Sequence, residues 1–274
     1  MTAGWTSPTP PTPPITALGW VLVLWRGGAL ALVTYLGLAL LLLARCIERP
    51  VCGMDRPATP FITQGVCRAA CRILGLRLSS RGTPMHHLGA VVANHVSWLD
   101  IFALNASQRI YFVAKSEVAG WPMIGWLARA TGTLFIQRDG RQARAQTELF
   151  EARLRAGHRL LFFPEGTSTD GLRLLPFKST LFAAFFNHHL QDILQIQPVS
   201  LIYRAPPGAD PRHYGWWGDM AFAPHLLQIL ATPQQGSVEV VFHAPVKVAD
   251  FPDRKALAAY CEAQVRPSVE AAVA

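Results

Sequence analysis

The chain has 274 residues, of which 51% are hydrophobic and 15% are charged, and its formal net charge at pH 7 is +8. The charged fraction is well below the about 25% that is usual for soluble proteins, so apolar surface is expected to face a membrane. The positive charge suits an anionic partner such as a lipid headgroup. Nucleic acid is disfavoured because the sequence has no clustered basic stripe and no recognisable nucleic-acid-binding module.

The first 76 residues are predicted to contain a tail and a membrane anchor. Residues 1–14 include SPTPPTPP, a composition typical of a disordered tail, and residues 15–76 are assigned to membrane-associated helices. Residues 27–44 carry no charge, and a stretch of this length is at the lower limit of about 17 to 25 residues for a spanning helix. A secretory signal peptide is the alternative, but its apolar core of roughly 7 to 15 residues is shorter and a cleavage site is not evident here.

Arginines set the expected orientation of this anchor. Arg45, Arg49 and Arg56 follow it, so the remainder of the chain is expected to face the cytoplasm from a bacterial inner membrane. Arg26 precedes the uncharged stretch and leaves open a helix that enters one leaflet and returns.

A second helix is predicted within PFITQGVCRAACRILGL, residues 60–76. Its polar stripe carries Gln64, Arg68 and Arg72, which suits either a helix lying in the membrane interface or one packed on the protein's own core. The five cysteines of the chain are odd in number and lack the paired spacing of a zinc site, so we predict reduced structural thiols and no metal.

Residues 77–274 are predicted to form an α/β domain with a central, largely buried mixed sheet flanked by helices. Short runs rich in Val, Ile and Phe indicate buried strands: AVVAN, IYFVAK, TLFIQ, RLLFFP, IQPVSLIY and VEVVFHAPV. Helical patterns lie between them, such as residues 139–158 with Gly157 as a C-cap. Alternating strands and helices favour one α/β fold with the membrane-embedded helices in front.

Polar residues follow three of these predicted strands. His95 and Asp100 follow the first, Arg138 follows TLFIQ, and Glu165 with the turn GTSTDG follows RLLFFP. Ligands of open α/β sheets gather beyond the carboxyl ends of the strands, so these residues are expected to converge.

His95 and Asp100 are candidates for a general base and the carboxylate that orients it. Five residues of regular helix would place them about 140° apart, so His95 must precede the helix. Ser97 and Asp100 match a capping box, which predicts Ser97 as the N-cap and lets the Asp100 carboxylate reach back to His95. An ordinary helix cap beside a turn histidine remains the alternative.

The turn after RLLFFP also has two interpretations. It can be a simple polar turn, or its backbone N–H groups can hold an anion or a developing oxyanion. The chain contains neither G-x-S-x-G nor H-E-x-x-H, which disfavours a serine hydrolase and a zinc peptidase.

Four blocks in order resemble the glycerolipid acyltransferase family that includes bacterial 1-acylglycerol-3-phosphate acyltransferases. They are Asn94-His95-x4-Asp100, Gly132-x-x-Phe135-Ile136-x-Arg138, Phe163-Pro164-Glu165-Gly166-Thr167, and the apolar run around Pro198. The resemblance spans roughly residues 55 to 250 and implies acyl transfer from acyl-CoA or acyl carrier protein to a lysolipid hydroxyl in membrane lipid synthesis, without a bound cofactor or metal.

The resemblance also implies roles for individual residues. His95 would be the general base and Asp100 its orienter. The residues assigned to substrate binding are Asn94, Ser97, Arg138, Glu165, Gly166, Thr167, Ser168 and Lys178.

One departure from the family concerns the acceptor. The family commonly has arginine and serine after E-G-T, whereas this chain has Ser168 and Thr169, with Arg173 further on. A lysophosphatidate acceptor is the first expectation, and the loss of a cation favours lyso-ornithine lipid as the alternative. EGTSTDGLRLLPFKST and YGWWGDMAFAPHL resemble the branch that acylates lyso-ornithine lipid. A lipid hydrolase and a non-catalytic lipid-binding protein are more distant alternatives.

Overall fold

The computed structural model describes residues 8–136, 143–186 and 190–272. The α-helices are α1 (Ala17–Cys52), α2 (Thr59–Leu74), α3 (Asp100–Ser107), α4 (Ile124–Thr131), α5 (Ala143–Arg155), α6 (Phe222–Ala231) and α7 (Arg254–Glu270). The strands are β1 (Arg77–Arg81), β2 (Gly89–Ala93), β3 (Tyr111–Lys115), β4 (Leu134–Ile136), β5 (Leu160–Phe162), β6 (Gln195–Arg204), β7 (Ser237–Phe242) and β8 (Val246–Lys247). Short 3-10 helices span Ser116–Gly120, Ser179–Phe186 and Val248–Asp250.

The strands form one mixed sheet with helices on both faces, as predicted. Within the described residues the order is β1-β7-β6-β2-β5-β3-β4, and β8 also pairs with β6. Strands β2, β5, β3 and β4 run parallel, as does β2 with β6, while β7 and β8 run antiparallel to β6. Because β2, β5 and β6 are parallel neighbours, their carboxyl ends meet at one edge of the sheet.

The side chains of β2 show why it lies at the centre. Ala90 and Val92 pack into a core with α5 and α7, whereas Val91 and Ala93 pack into a core with α3 and α6. All four are fully buried. A strand covered on both faces has an apolar residue at every position, which is why AVVAN appears in the sequence as an unbroken apolar run.

Helix α1 is long and apolar enough to cross a membrane, and its exposed apolar side associates the protein with a membrane. Its 36 residues extend about 54 Å at 1.5 Å per residue. Large side chains such as Leu24, Trp25 and Leu32 are more than half exposed. The opposite side contacts the rest of the chain at two places. Arg26 donates to the carbonyl oxygens of Leu230, Thr232 and Pro233, and Glu48 accepts hydrogen bonds from the backbone at the start of α2.

Helix α2 packs on the protein's own core, which is one of its two predicted settings. The Gln64 amide and the Arg68 guanidinium both donate to the carbonyl oxygen of Ala106 in α3, at 3.3 and 2.9 Å. On another side, Val66 touches Gly37 of α1 so closely that a Cβ at Gly37 would lie 2.3 Å from it. Gln64 and Arg68 of the polar stripe therefore contact α3.

The predicted elements and the observed ones differ mainly where the sequence lacks an apolar run. Each of the six predicted runs contains a strand, and Gly157 adopts the left-handed conformation (φ +76°) after α5, as expected of a C-cap. The first strand, β1, was not predicted because its residues are polar and largely exposed at the sheet edge. Residues 1–7 of the predicted tail lie outside the described residues, and residues 8–16 have no regular structure. The division of the chain at residues 14 and 76 stays a prediction.

Candidate active site

The turn after β2 carries the predicted catalytic pair. Asn94 and His95 follow the strand directly, and α3 begins at Asp100. His95 Nδ1 lies 2.7 Å from Asp100 Oδ2. The His95 ring stacks on Phe163 with ring centroids 4.0 Å apart and an interplanar angle of 10°. The structure thus confirms that His95 precedes the helix and that the carboxylate reaches back to it.

Asp100 is held in place by four donors. Its side chain is fully buried, and Oδ2 also accepts hydrogen bonds from the N–H groups of Val96 and Ser97, at 2.8 and 3.1 Å. Oδ1 accepts from the Tyr203 hydroxyl at 2.9 Å. A buried carboxylate needs such donors to remain ionised, and the ionised form is the one that orients an imidazole and stabilises its cation.

The predicted role of Ser97 as N-cap is wrong in detail. Leu99 precedes the first helical residue and makes no side-chain cap, while the Ser97 hydroxyl accepts only a long contact of 3.4 Å from the Leu99 N–H. A capping box has a second hydrogen bond, from the backbone N–H of its first residue to the side chain of its last. That bond does form here, because the Asp100 carboxylate accepts the Ser97 N–H. Ser97 is fully buried, so its hydroxyl presents no exposed surface to a substrate.

Asn94 connects the end of β2 to β6 through two hydrogen bonds. Its amide nitrogen donates to the Leu201 carbonyl oxygen at 2.9 Å, and its oxygen accepts the Leu201 N–H at 2.7 Å. The residue is only 3% exposed. This pairing to β6 accounts for an amide at this position without a substrate contact, so Asn94 supports the turn that carries His95.

Glu165 lies behind the catalytic turn. Its Oε1 accepts the His95 N–H at 2.7 Å and its Oε2 accepts the Leu175 N–H at 2.8 Å. Burial raises the pKa of Glu165 to about 8, partly offset by these two hydrogen bonds. With both oxygens used and 1% of its surface exposed, Glu165 joins the backbone of the two motifs.

The turn after Glu165 runs alongside His95. The N–H of Thr169 donates to the His95 carbonyl oxygen at 2.9 Å, and the Ser168 hydroxyl donates to the Trp216 carbonyl oxygen at 2.5 Å. Within the described residues, the backbone N–H groups of Thr167 and Ser168 make no hydrogen bond. These N–H groups are the donors that one of the two interpretations of this turn requires for an oxyanion.

Lys178 lies against the same turn. Gly166 has a left-handed backbone (φ +74°), and a Cβ there would stand 2.7 Å from Lys178 Nζ. Glycine therefore permits both the turn and the approach of the lysine. Lys178 is half-buried. It supplies a positive charge among those predicted substrate-binding residues that the structure describes.

Arg138 lies outside the described residues. Its block is represented by Gly132, which is left-handed (φ +86°), and by Phe135 and Ile136 in β4. Strand β4 is at the far end of the sheet from β6, two strands away from β5. Among the residues that the structure describes, there is no group of three or more His, Cys, Asp or Glu side chains that could hold a metal ion.

Two contributors to the site were missed by the sequence analysis. Tyr203 ends the run IQPVSLIY, which indicated only a strand, and it supplies the one hydrogen bond to Asp100 Oδ1 among the described residues. Burial, then the neighbouring Asp100, raises the pKa of the Tyr203 hydroxyl, so it remains a donor. Gly171 packs under the turn, where a Cβ would lie 2.8 Å from Val96.

Fold and site together define an acyl-transfer enzyme, and residues 80–202 match the Acyltransferase family. The chain belongs to this family and transfers acyl groups. It is 63% identical over 257 residues to the lyso-ornithine lipid O-acyltransferase of Rhodobacter capsulatus, covering 94% of this chain and 93% of that protein. It is 34% identical over 202 residues to the 1-acyl-sn-glycerol-3-phosphate acyltransferase of Neisseria gonorrhoeae, covering 72% and 75%.

A solved structure shares the fold. The 1-acyl-sn-glycerophosphate acyltransferase PlsC of Thermotoga maritima superposes with a TM-score of 0.65 over 92% of this chain and 95% of that chain. The two sequences are 22% identical, so this similarity concerns the fold.

Proposed function

We propose that the protein transfers a fatty acyl group from a thioester to the hydroxyl of lyso-ornithine lipid. The residue after E-G-T carries this choice of acceptor. Ser168 stands where the family commonly has arginine, and its hydroxyl is already bound to the Trp216 carbonyl oxygen. A phosphate acceptor favours paired cations, whereas an amino-acid headgroup does not require one there. The relative in Rhodobacter capsulatus, 63% identical, supports the same acceptor.

The chemistry follows from which nitrogen of His95 is free. Nδ1 faces Asp100 at 2.7 Å, so Nε2 is left for the acceptor, and 23% of the His95 side chain is exposed. Nε2 takes the proton of the acceptor hydroxyl as its oxygen attacks the thioester carbonyl carbon. The tetrahedral intermediate then collapses, the C–S bond breaks, and the leaving thiolate takes the proton back from the imidazolium. We expect the N–H groups of Thr167 and Ser168 to hold the oxyanion.

Neither a covalent acyl-enzyme nor a bound cofactor enters this mechanism. Both substrates must be present together because the acceptor oxygen itself is the nucleophile. The acyl donor is acyl-CoA or acyl carrier protein, and each would present the same thioester to His95.

We also propose that the protein lies on the cytoplasmic face of the bacterial inner membrane. Arg45, Arg49 and Arg56 follow the apolar part of α1, which favours that side. Arg26 contacts the end of α6 and Glu48 contacts the start of α2, which itself packs on α3, and the two contacts are separated by 22 residues, or about 33 Å of helix. A helix bound over that length to the rest of its own chain runs beside it, which favours an anchor with its exposed side in one leaflet.

The acceptor is tested by supplying a labelled acyl thioester with lyso-ornithine lipid, with lysophosphatidate, or with neither. Acylated ornithine lipid is the expected product, and faster use of lysophosphatidate would reverse the acceptor assignment. Fatty acid released from a diacyl lipid without a lysolipid would indicate a hydrolase, and lipid binding without thioester consumption a binding protein.

The catalytic assignment is tested with His95→Ala, which we expect to lower the rate by about 10²- to 10⁴-fold. His86→Ala removes an exposed imidazole outside the site and is the matched control. Acylation by His95→Ala at the parent's rate would overturn the mechanism.

A further inference from the structure

A cluster of cationic and donor groups lies at the opposite edge of the sheet from His95. We call it the basic cluster and define it as Arg56, Tyr111, Arg153 and His158. Tyr111 opens β3, and His158 lies two residues before β5, whereas Phe163 and Glu165 of the active site follow β5. Strands β3 and β5 are parallel neighbours, so the cluster is at their amino ends. It is separate from the catalytic turn.

The guanidinium groups of Arg56 and Arg153 both lie near the Tyr111 ring, and both donate to backbone carbonyl oxygens at the end of α4. The Cζ atoms of Arg153 and Arg56 lie 4.7 and 5.8 Å from the centre of the ring. Arg56 Nη1 donates to the Ala130 carbonyl oxygen at 3.0 Å, and Arg153 Nη2 donates to the Gly132 carbonyl oxygen at 2.8 Å. These bonds cap the C-terminal end of α4 and use only a minority of the N–H groups that two arginines offer.

The part of the chain that the structure describes leaves these two guanidinium groups without a directly paired carboxylate. Among the described residues, neither Arg56 nor Arg153 forms an ion pair with Asp or Glu. Glu48 is near enough to act on Arg56, but its oxygens accept from Thr59, from the N–H of Ala58 and from Arg45. Two like charges held close together repel each other, and the one carboxylate that acts on Arg56, Glu48, is paired with Arg45, so a bound anion would stabilise the pair.

The histidine of the cluster adds a neutral donor. Arg153 Nε donates to His158 Nδ1 at 2.6 Å, so Nδ1 is the acceptor and the ring proton is on Nε2. Nε2 is buried, and the acceptor near it is the backbone carbonyl of Met54, in the turn between α1 and α2. Burial, followed by the charge of Arg153, lowers the pKa of His158 to about 4, which keeps the ring neutral. The histidine therefore adds no positive charge and leaves the two arginines as the cations of the cluster.

The position of the cluster favours a lipid as the source of the anion. Arg56 belongs to the turn between α1 and α2, and Arg45 of α1 donates to the carbonyl oxygens of Gly53 and Asp55 in the same turn. This turn ends the helix whose exposed apolar side associates the protein with a membrane. Arginine groups that end an apolar helix lie at the depth of lipid phosphates.

We infer that the basic cluster binds a phosphate group of an anionic membrane lipid, at a site distinct from the catalytic pair. The planar guanidinium group of Arg56 and the remaining N–H groups of Arg153 would each donate to phosphate oxygens. The several N–H donors of a planar guanidinium match the arrangement of phosphate oxygens better than a lysine ammonium does. The same chemistry would suit a phosphate of the soluble acyl donor, so the experiment must separate the two sources. The inference does not depend on the choice of lysolipid acceptor.

The test measures thermal stability of the full-length protein in a neutral detergent with four probes. They are dioctanoyl phosphatidylglycerol, dioctanoyl phosphatidylcholine, inorganic phosphate and coenzyme A. A ligand at about 100 times its Kd should raise Tm by about 5–10 °C for a chain of this size. We expect this rise with phosphatidylglycerol and not with phosphatidylcholine, whose headgroup has no net charge.

Variants connect the rise in Tm to the cluster. Arg56→Gln is expected to abolish it, and Arg49→Gln, which removes an exposed charge from the last turn of α1, should retain it. Arg56→Gln also removes a cap of α4 and could prevent folding, so Arg56→Lys is the second variant. It keeps the charge and loses the planar fork, and about a tenfold weaker Kd is expected.

Two results would overturn parts of the inference. An Arg56-dependent rise with coenzyme A or inorganic phosphate, but not with phosphatidylglycerol, would assign the site to a soluble phosphate and remove the lipid. A rise of the parent's size in both Arg56 variants, or no rise with any probe, would leave the arginines as caps of α4 only.

Discussion

Replacing Tyr203 by phenylalanine tests how much the hydrogen bond from the Tyr203 hydroxyl to Asp100 supports the catalytic pair. The change removes one hydroxyl and leaves Asp100 Oδ1 without a partner among the described residues, while Oδ2 keeps its three contacts. An unpaired acceptor in a fully buried carboxylate costs about 1–3 kcal/mol. For a chain of this length the loss corresponds to a fall in Tm of roughly 3–10 °C.

The same change weakens the support that Asp100 gives to His95. With one donor fewer, the carboxylate is held less firmly and orients the imidazole less well, so kcat should fall while KM for the acceptor stays near the parent's value. A hydrogen bond to a charged group contributes about 1.5–3 kcal/mol, and each 1.36 kcal/mol is a tenfold change in rate. The fall in kcat is therefore expected to be at most about 10- to 100-fold.

The assay is kcat and KM for acyl transfer, with Tyr214→Phe as the control. Tyr214 is a buried tyrosine whose ring lies 5.5 Å from that of Tyr203, and its hydroxyl bonds to Gln235 and to the N–H of Gly236. Tyr214→Phe should lower Tm and leave kcat near the parent's value. An unchanged kcat in Tyr203→Phe, or an equal fall in both variants, would refute the role of Tyr203 in supporting Asp100.

Four further outcomes are expected. Asp100→Asn should lower kcat by about 10²- to 10⁴-fold with little change in fold, checked by initial rates and circular dichroism. Because burial raises the pKa of Glu165 to about 8, the folded state binds more protons than the unfolded state between about pH 4.5 and 8. The free energy of unfolding should thus fall as pH rises through that window and level off above it, and urea titrations of Glu165→Gln should lack this fall. Asn94→Ala should lower the free energy of unfolding by about 2–4 kcal/mol without raising KM for the acceptor, because both lost hydrogen bonds go to Leu201; a raised KM would instead indicate a substrate contact. Burial raises the pKa of Cys67 to about 12, so a maleimide at neutral pH should label the exposed Cys46 in the folded protein and reach Cys67 only after unfolding.

The catalytic pair could be predicted from sequence because it is local. His95 and Asp100 are five residues apart, and the N–H groups that bind the carboxylate belong to the residues between them, so the turn largely builds itself. The strands could also be predicted, since a strand buried on both faces must be apolar throughout. Glu165 could be predicted to lie near His95 because both follow parallel strands, but the function of Glu165 could not be predicted. That function depends on its contact with the His95 N–H, 70 residues away in the chain.

Contacts between distant segments were decided only by the tertiary structure. Tyr203 reaches Asp100 across 103 residues because β6 pairs in parallel with β2, and nothing in a run of apolar residues indicates which tyrosine will face a carboxylate. Arg56 and Arg153 meet at Tyr111 for the same reason, because three separate segments converge at one edge of the sheet. Sequence periodicity determines which face of an element is buried. Which partner that face meets depends on strand order and helix packing, and these follow from the free energy of the whole fold.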